Sequence, residues 1–120
     1  MQLNHLNLCV PNLPVAQAFF ERYFGFEVLD QGGQDTLCVM RGEGGFVLVL
    51  SNFEKKDRHD YPRDFHVGFL LDSPESVRAM FQRMKDDGVD IQSEPKDLPR
   101  GTTFYGHIDQ TILFEIASRP

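Results

Sequence analysis

The chain is short of positive charge: 12 Lys and Arg stand against 18 Asp and Glu, a formal net charge of -6 over 120 residues. It has no stripe of basic residues interleaved with aromatics. That excludes a nucleic-acid partner, because affinity for a phosphate backbone rests on Lys and Arg clusters. No apolar run approaches the roughly 18 residues of a membrane span. A basic leader followed by a long apolar stretch and a cleavage site is also lacking, so the expected location is cytoplasmic. The 2 cysteines, Cys9 and Cys38, lie in strand-like runs rather than in a metal-binding spacing. They are expected to be buried, reduced thiols. Nucleophile-elbow, phosphate-loop and dinucleotide fingerprints are missing, and GEGG at 42–45 reads as a hairpin turn.

What is present is the composition of an ordinary globular protein, 41% hydrophobic and 25% charged. A chain of this length buries roughly two-thirds of its unfolded surface, enough for one compact domain or two half-size units. Apolar periodicity predicts a strand over 3–10, a helix over 14–24, and strands near 27–31, 35–41 and 45–51. The order then repeats: strand 64–71, helix 74–87, and strands near 89–93, 101–107 and 111–117. In LDSPESVRAMFQRMKDDG, Ser73 caps, Pro74 fits the first helical position and Gly88 suits the exit. Val77, Met80, Phe81 and Met84 form one helical face, as Ala16, Phe19, Phe20 and Tyr23 do in the earlier helix. Gly-Phe-Glu-Val answers Gly-Val-Asp-Ile, and FVLVL at 46–50 superposes on ILFEI at 112–116. The reading is α+β, two βαβββ modules related by a pseudo-twofold. Module 1 spans 1–52, a polar linker 53–63, and module 2 64–120, with His59 taken as a solvated linker residue.

Strand parity separates a core face from a second face. Leu6, Leu8 and Val10 face the core in the first strand, as Phe65, Val67, Phe69 and Leu71 do in the fifth. Ile112, Phe114 and Ile116 do the same in the last. His5, His66 and Glu115 are left on the other face, one from each of three strands. Two imidazoles and a carboxylate are a recognised set of ligands for a divalent metal. A single strand histidine is more often a hydrogen-bonded or surface residue, but these two occupy repeat-equivalent positions. Glu115, inside an apolar strand, needs a cationic partner if buried.

The segments LNHLNLCVPNLPVAQAFFERYFGFEV, DFHVGFLLDSPESVRAMFQRMKDDGV and TTFYGHIDQTILFEIAS together resemble the vicinal oxygen chelate superfamily. That group includes glyoxalase I, extradiol dioxygenases, and fosfomycin- and bleomycin-resistance proteins. The resemblance covers essentially the whole chain. It implies a curved mixed sheet forming a cup, and one divalent ion (Fe, Mn, Zn or Ni) on His5, His66 and Glu115. It also implies a small-molecule substrate with vicinal oxygens and a homodimer. Glyoxalase I carries a fourth ligand where Val49 stands, and valine cannot ligate, so a four-ligand glyoxalase I is disfavoured. In the last module, HIDQT replaces the family's usual turn. Tyr105, Thr103 and His107 share a parity. Tyr105 is either a catalytic group on a substrate oxygen or a packed aromatic with a tethered hydroxyl. His107 and Asn7 are candidate substrate contacts, and Glu115 is a candidate catalytic residue as well as a ligand. The expectation is a metal-dependent lyase, dioxygenase or transferase; the alternative is a metal-free drug-binding protein of the bleomycin-resistance type.

Overall fold

The computed structural model describes residues 1–120. They divide into two compact units, Met1–Asp60 and Tyr61–Pro120. The first contains β1 (His5–Cys9), α1 (Leu13–Phe24), β2 (Glu27–Gln31), β3 (Leu37–Arg41) and β4 (Val47–Ser51). The second contains β5 (His66–Leu71), α2 (Pro74–Asp86), β6 (Lys96–Leu98), β7 (Gly101–Ile108) and β8 (Ile112–Ser118). The sheets are ordered β1-β4-β3-β2 and β5-β8-β7-β6. In each, the first strand runs parallel to its neighbour and the remaining pairs are antiparallel. The fold is therefore α+β, with the βαβββ unit made twice.

Local chemistry sets the helix limits. The Asn12 side chain accepts from Val15 N at 3.2 Å to start α1, and Gly25 closes it at φ 68°. Ser73 accepts from Ser76 N at 3.1 Å, one residue before Pro74 opens α2. A cap of this kind is worth about 1 kcal/mol. Each helix lays its stripe on one face of its own sheet. Ala16 and Phe20 are buried with Leu8, Met40, Leu48 and Leu50 in the first unit. Val77 and Met84 are buried with Phe104, Phe114 and Ile116 in the second. Each of the larger side chains contributes roughly 1.5–3 kcal/mol, so these two faces dominate the stability of the units.

Strand register turns the sequence repeat into a residue-by-residue correspondence. His5 pairs with Val47 and Asn7 with Val49; His66 pairs with Leu113 and Gly68 with Glu115. Val39 stands beside Val49, and Tyr105 stands beside Glu115. Val49 and Glu115 thus occupy the same place in their units, as FVLVL and ILFEI imply.

Three expectations need correction. The strand near 89–93 does not form; Ile91 makes a single bridge to Gly106, and pairing resumes only at Lys96–Leu98. Pro95 lies in the gap and has no N–H to give a ladder. Cys9 is exposed rather than buried, because it lies on the second face of β1; Cys38, on the core face, is buried. His59 is not a free linker residue. Its Nε2 lies 2.8 Å from Oδ1 of buried Asn52, whose amide also holds the carbonyls of Pro11 and Lys56.

Candidate functional site

The second face of β5, β8 and β7 is built in rows. His66, Leu113 and His107 form one; Gly68, Glu115 and Tyr105 form the next. Glu115 is the centre. Its side chain keeps 21% of its exposure, so it is sheltered without being sealed from water. Tyr105 Oη donates to Glu115 Oε1 at 2.5 Å, and Thr103 Oγ1 lies 3.2 Å from the same oxygen, its one proton shared with the Ile116 carbonyl at 3.1 Å. The nearest partners of this carboxylate are therefore hydroxyl groups rather than the cation that its strand position suggested. Arg100 Nη2 lies farther away, 3.9 Å from Oε1. A hydrogen bond to a carboxylate is charge-assisted and strong for its class. It keeps the Tyr105 proton in place: bonding to Glu115 first, then burial and the nearby negative charge, raise the phenol above its usual pKa of 10.0.

The other carboxylate oxygen faces the histidine. His66 Nε2 lies 3.9 Å from Glu115 Oε2. His66 Nδ1 lies 2.9 Å from the Asp64 carbonyl. A carbonyl only accepts, so Nδ1 carries a proton, and Nε2 is the nitrogen turned toward Oε2. Gly68 leaves this space clear, since a Cβ there would sit 3.5 Å from Oε2.

In the first unit the equivalent face carries His5, Asn7 and Cys9 beside Val47, Val49 and Ser51. His5 Nδ1 lies 2.8 Å from Asn4 Oδ1, which again leaves Nε2 as the free nitrogen. Asn7 Oδ1 accepts from Ser51 Oγ at 2.7 Å, so the side chain singled out as a substrate contact is tied within its own sheet. His107 Nδ1 is buried without a hydrogen bond, 3.5 Å from Asp90 Oδ2. Its counterpart by register is Arg41, which bonds Glu27 at 2.6 Å. The His107–Asp90 contact thus stands where Arg41 and Glu27 pair in the first unit.

The residues fit a divalent ion. Metal–nitrogen and metal–oxygen bonds of roughly 2 Å put two donors on one ion about 3 Å apart, so a closure of roughly 1 Å brings Nε2 and Oε2 into range. Both donors are free, and each side chain is held by its other polar atom. No third His, Cys, Asp or Glu joins them in a cluster. Sequence reasoning did not find Thr103 as a support for Glu115, or Arg100 beside it. Both lie across a hairpin from the carboxylate, where only register brings residues together.

Two βαβββ units, the second with an imidazole and a carboxylate side by side on its open face, define the vicinal oxygen chelate class. The chain belongs to the Glyoxalase/Bleomycin resistance protein/Dioxygenase superfamily, whose model matches residues 2–110. It is similar to a possible glyoxalase from Bacillus cereus, 36% identical, with 98% of each chain covered and a TM-score of 0.86. It also shares its fold with a fosfomycin resistance protein from Listeria monocytogenes, 21% identical, covering 100% of this chain and 94% of that one, TM-score 0.78. A lactoylglutathione lyase from Agrobacterium tumefaciens is 17% identical, with 98% and 92% covered and a TM-score of 0.77. No curated protein matches the chain. No helix is long and apolar enough to cross a membrane.

Proposed function

We propose that this is a divalent-metal-dependent enzyme acting on a small substrate with two neighbouring oxygens, its ion held by His5, His66 and Glu115. The observation that carries the reading is the approach of His66 Nε2 to Glu115 Oε2, with the other polar atom of each side chain already bonded. His5 repeats the arrangement of His66 at the equivalent place in the first unit and is the third ligand, from the same chain or from a second copy. When bound, the ion supplies Lewis-acid stabilisation for negative charge developing on a substrate oxygen. Iron(II), manganese(II), zinc and nickel all suit two imidazoles and a carboxylate. A variant of the Listeria fosfomycin resistance protein, 19% identical to this chain, was solved with manganese(II). That likeness is one of fold; the donor atoms of this chain carry the argument.

The roles of this chain's own groups follow from their contacts. Tyr105 and Thr103 fix the Glu115 carboxylate in one orientation, leaving Oε2 outward. Asp64 fixes the His66 ring. Tyr105, whose one proton is given to Glu115, serves as a support of that carboxylate rather than as a base. Val49 stands where a fourth ligand would stand and has no donor atom, so positions are left for substrate, and four-ligand glyoxalase I chemistry is disfavoured.

Elemental analysis of untagged protein tests this. The expectation is about one first-row metal per chain, as a single three-ligand site dictates. Loss of the metal in Glu115→Ala and His66→Ala, with an unchanged circular dichroism spectrum, completes the expected result. Stoichiometric metal retained in both variants would remove these residues from the site.

A further inference from the structure

Arg100 is the one group beside Glu115 that the proposed site leaves without a task. It sits at the tip of the two-residue hairpin between β6 and β7, where Leu98 pairs with Gly101. The tip is held rigidly. Gly101 adopts φ 129°, and a Cβ there would fall onto the carbonyl of Ser118. Asp97 anchors the base of the hairpin, accepting from Arg78 of α2 at 2.8 and 2.9 Å and from Thr102 at 2.7 Å. That ladder lies on the helix side of the sheet. Lys96 pairs with Thr103, whose hydroxyl bonds Glu115, so Lys96 projects from the same face as the carboxylate.

The contrast between the partners of Glu115 decides what Arg100 is for. Tyr105 is committed at 2.5 Å, whereas Arg100 stands at 3.9 Å with 69% of its side chain exposed. An exposed pair at that distance holds its cation weakly. A divalent ion on Oε2 would neutralise the carboxylate and release the guanidinium. On a chain of net charge -6, the hairpin then presents two cations, Arg100 and Lys96, at the margin of the site. A guanidinium binds carboxylate and phosphate-type oxygens with two parallel hydrogen bonds.

We infer that Arg100 selects substrates bearing an anionic group in addition to the vicinal oxygens, and that it docks that group at the β6–β7 hairpin. This inference rests on the metal reading above. Its test uses manganese(II)-loaded protein and three probes with the same chelating diol: catechol, which has no added charge, and 2,3- and 3,4-dihydroxybenzoate, which carry a carboxylate. Binding is read by water-proton relaxation and by calorimetry. At least one dihydroxybenzoate should bind about tenfold or more tightly than catechol, as a charge-assisted bidentate contact implies. In Arg100→Gln that preference should fall to near unity, with manganese stoichiometry and catechol affinity unchanged. Arg100→Lys should restore part of it. Equal binding of all three probes by the unaltered protein would overturn the inference, as would a preference that survives in Arg100→Gln. Failure of the unaltered protein to bind manganese, iron, zinc or nickel would instead overturn the metal reading, and this inference with it.

Discussion

Gly68 separates the fold from the proposed site. It lies inside β5, directly across from Glu115, in a backbone conformation open to any residue. An added Cβ would meet nothing closer than Glu115 Oε2, at an ordinary contact of 3.5 Å. Replacing a mid-strand glycine with alanine in such a place gains about 0.5–1 kcal/mol, because the unfolded chain has less freedom to lose. Gly68→Ala should therefore be more stable in urea than the unaltered protein. In Gly68→Val two methyl groups extend roughly 1.5 Å beyond Cβ, which carries them onto Oε2 or its approach. The fold has open space on this side and should tolerate them. The carboxylate oxygen facing His66 does not have that space. Loss of a well-placed ligand orientation weakens metal affinity by about 10–100-fold, or roughly 1.4–2.8 kcal/mol. Urea unfolding and manganese titration on the three proteins read both effects. The expected pattern is stability rising with Gly68→Ala while metal affinity collapses with Gly68→Val. Undiminished affinity in Gly68→Val would refute the assignment of Oε2 as a donor, and a lower urea midpoint for Gly68→Ala would refute the claim that the strand is open here.

Two further outcomes concern the frame around the site. Bonding to Thr102 and then to Arg78 holds the Asp97 carboxyl below its usual pKa of 3.8. A depressed folded-state pKa contributes stability that is present above the unfolded value and lost as pH falls through the folded one. Acid titration of stability should therefore be shallower below about pH 4 in Asp97→Asn, and identical acid profiles would dismiss the contribution. Gly106 has no strain in φ, but a Cβ would press to 2.5 Å from the Phe114 ring and 2.8 Å from the Asp90 carbonyl. Gly106→Ala should cost about 1–3 kcal/mol in a denaturant melt and loosen the Ile91 bridge, seen as faster amide exchange at His107. An unaffected melt would mean that the segment at Asp90 moves aside freely.

The parts of the fold that could be read in advance are those with a short period. Leu8 and Val10 against His5 and Asn7, or Phe114 and Ile116 against Glu115, declare their faces by alternation alone. Ser73 and Pro74 announce a helix start because their chemistry is local. The first helix begins one residue before Pro14, since Asn12 is the cap. The edge beyond α2 was not legible: Val89 and Ile91 look like a strand, and only the chain's departure through Ser93–Pro95 prevents it. Cys9 went wrong for a related reason, as its hydrophobic character suggested burial while its parity placed it outward. In the site, the alternation brought His66 and Glu115 to one face, and the structure sets them 3.9 Å apart. The hydroxyls and the guanidinium around Glu115 depend on hairpin register, which a turn of unknown geometry does not reveal.

The two sheets treat their margins unequally. At one margin β2 is bulged between Val28 and Asp30, and its counterpart is broken into the Ile91 bridge and the three residues of β6. Neither offers an unbroken row of backbone donors and acceptors, so neither is a good template for a strand from another molecule. The opposite margins, β1 and β5, are regular ladders with free outer sides, and they carry His5 and His66. Accidental sheet extension is thereby discouraged along two borders and left open along the two that hold the histidines. A partly unfolded or crowded chain would stick to its neighbours through those strands first.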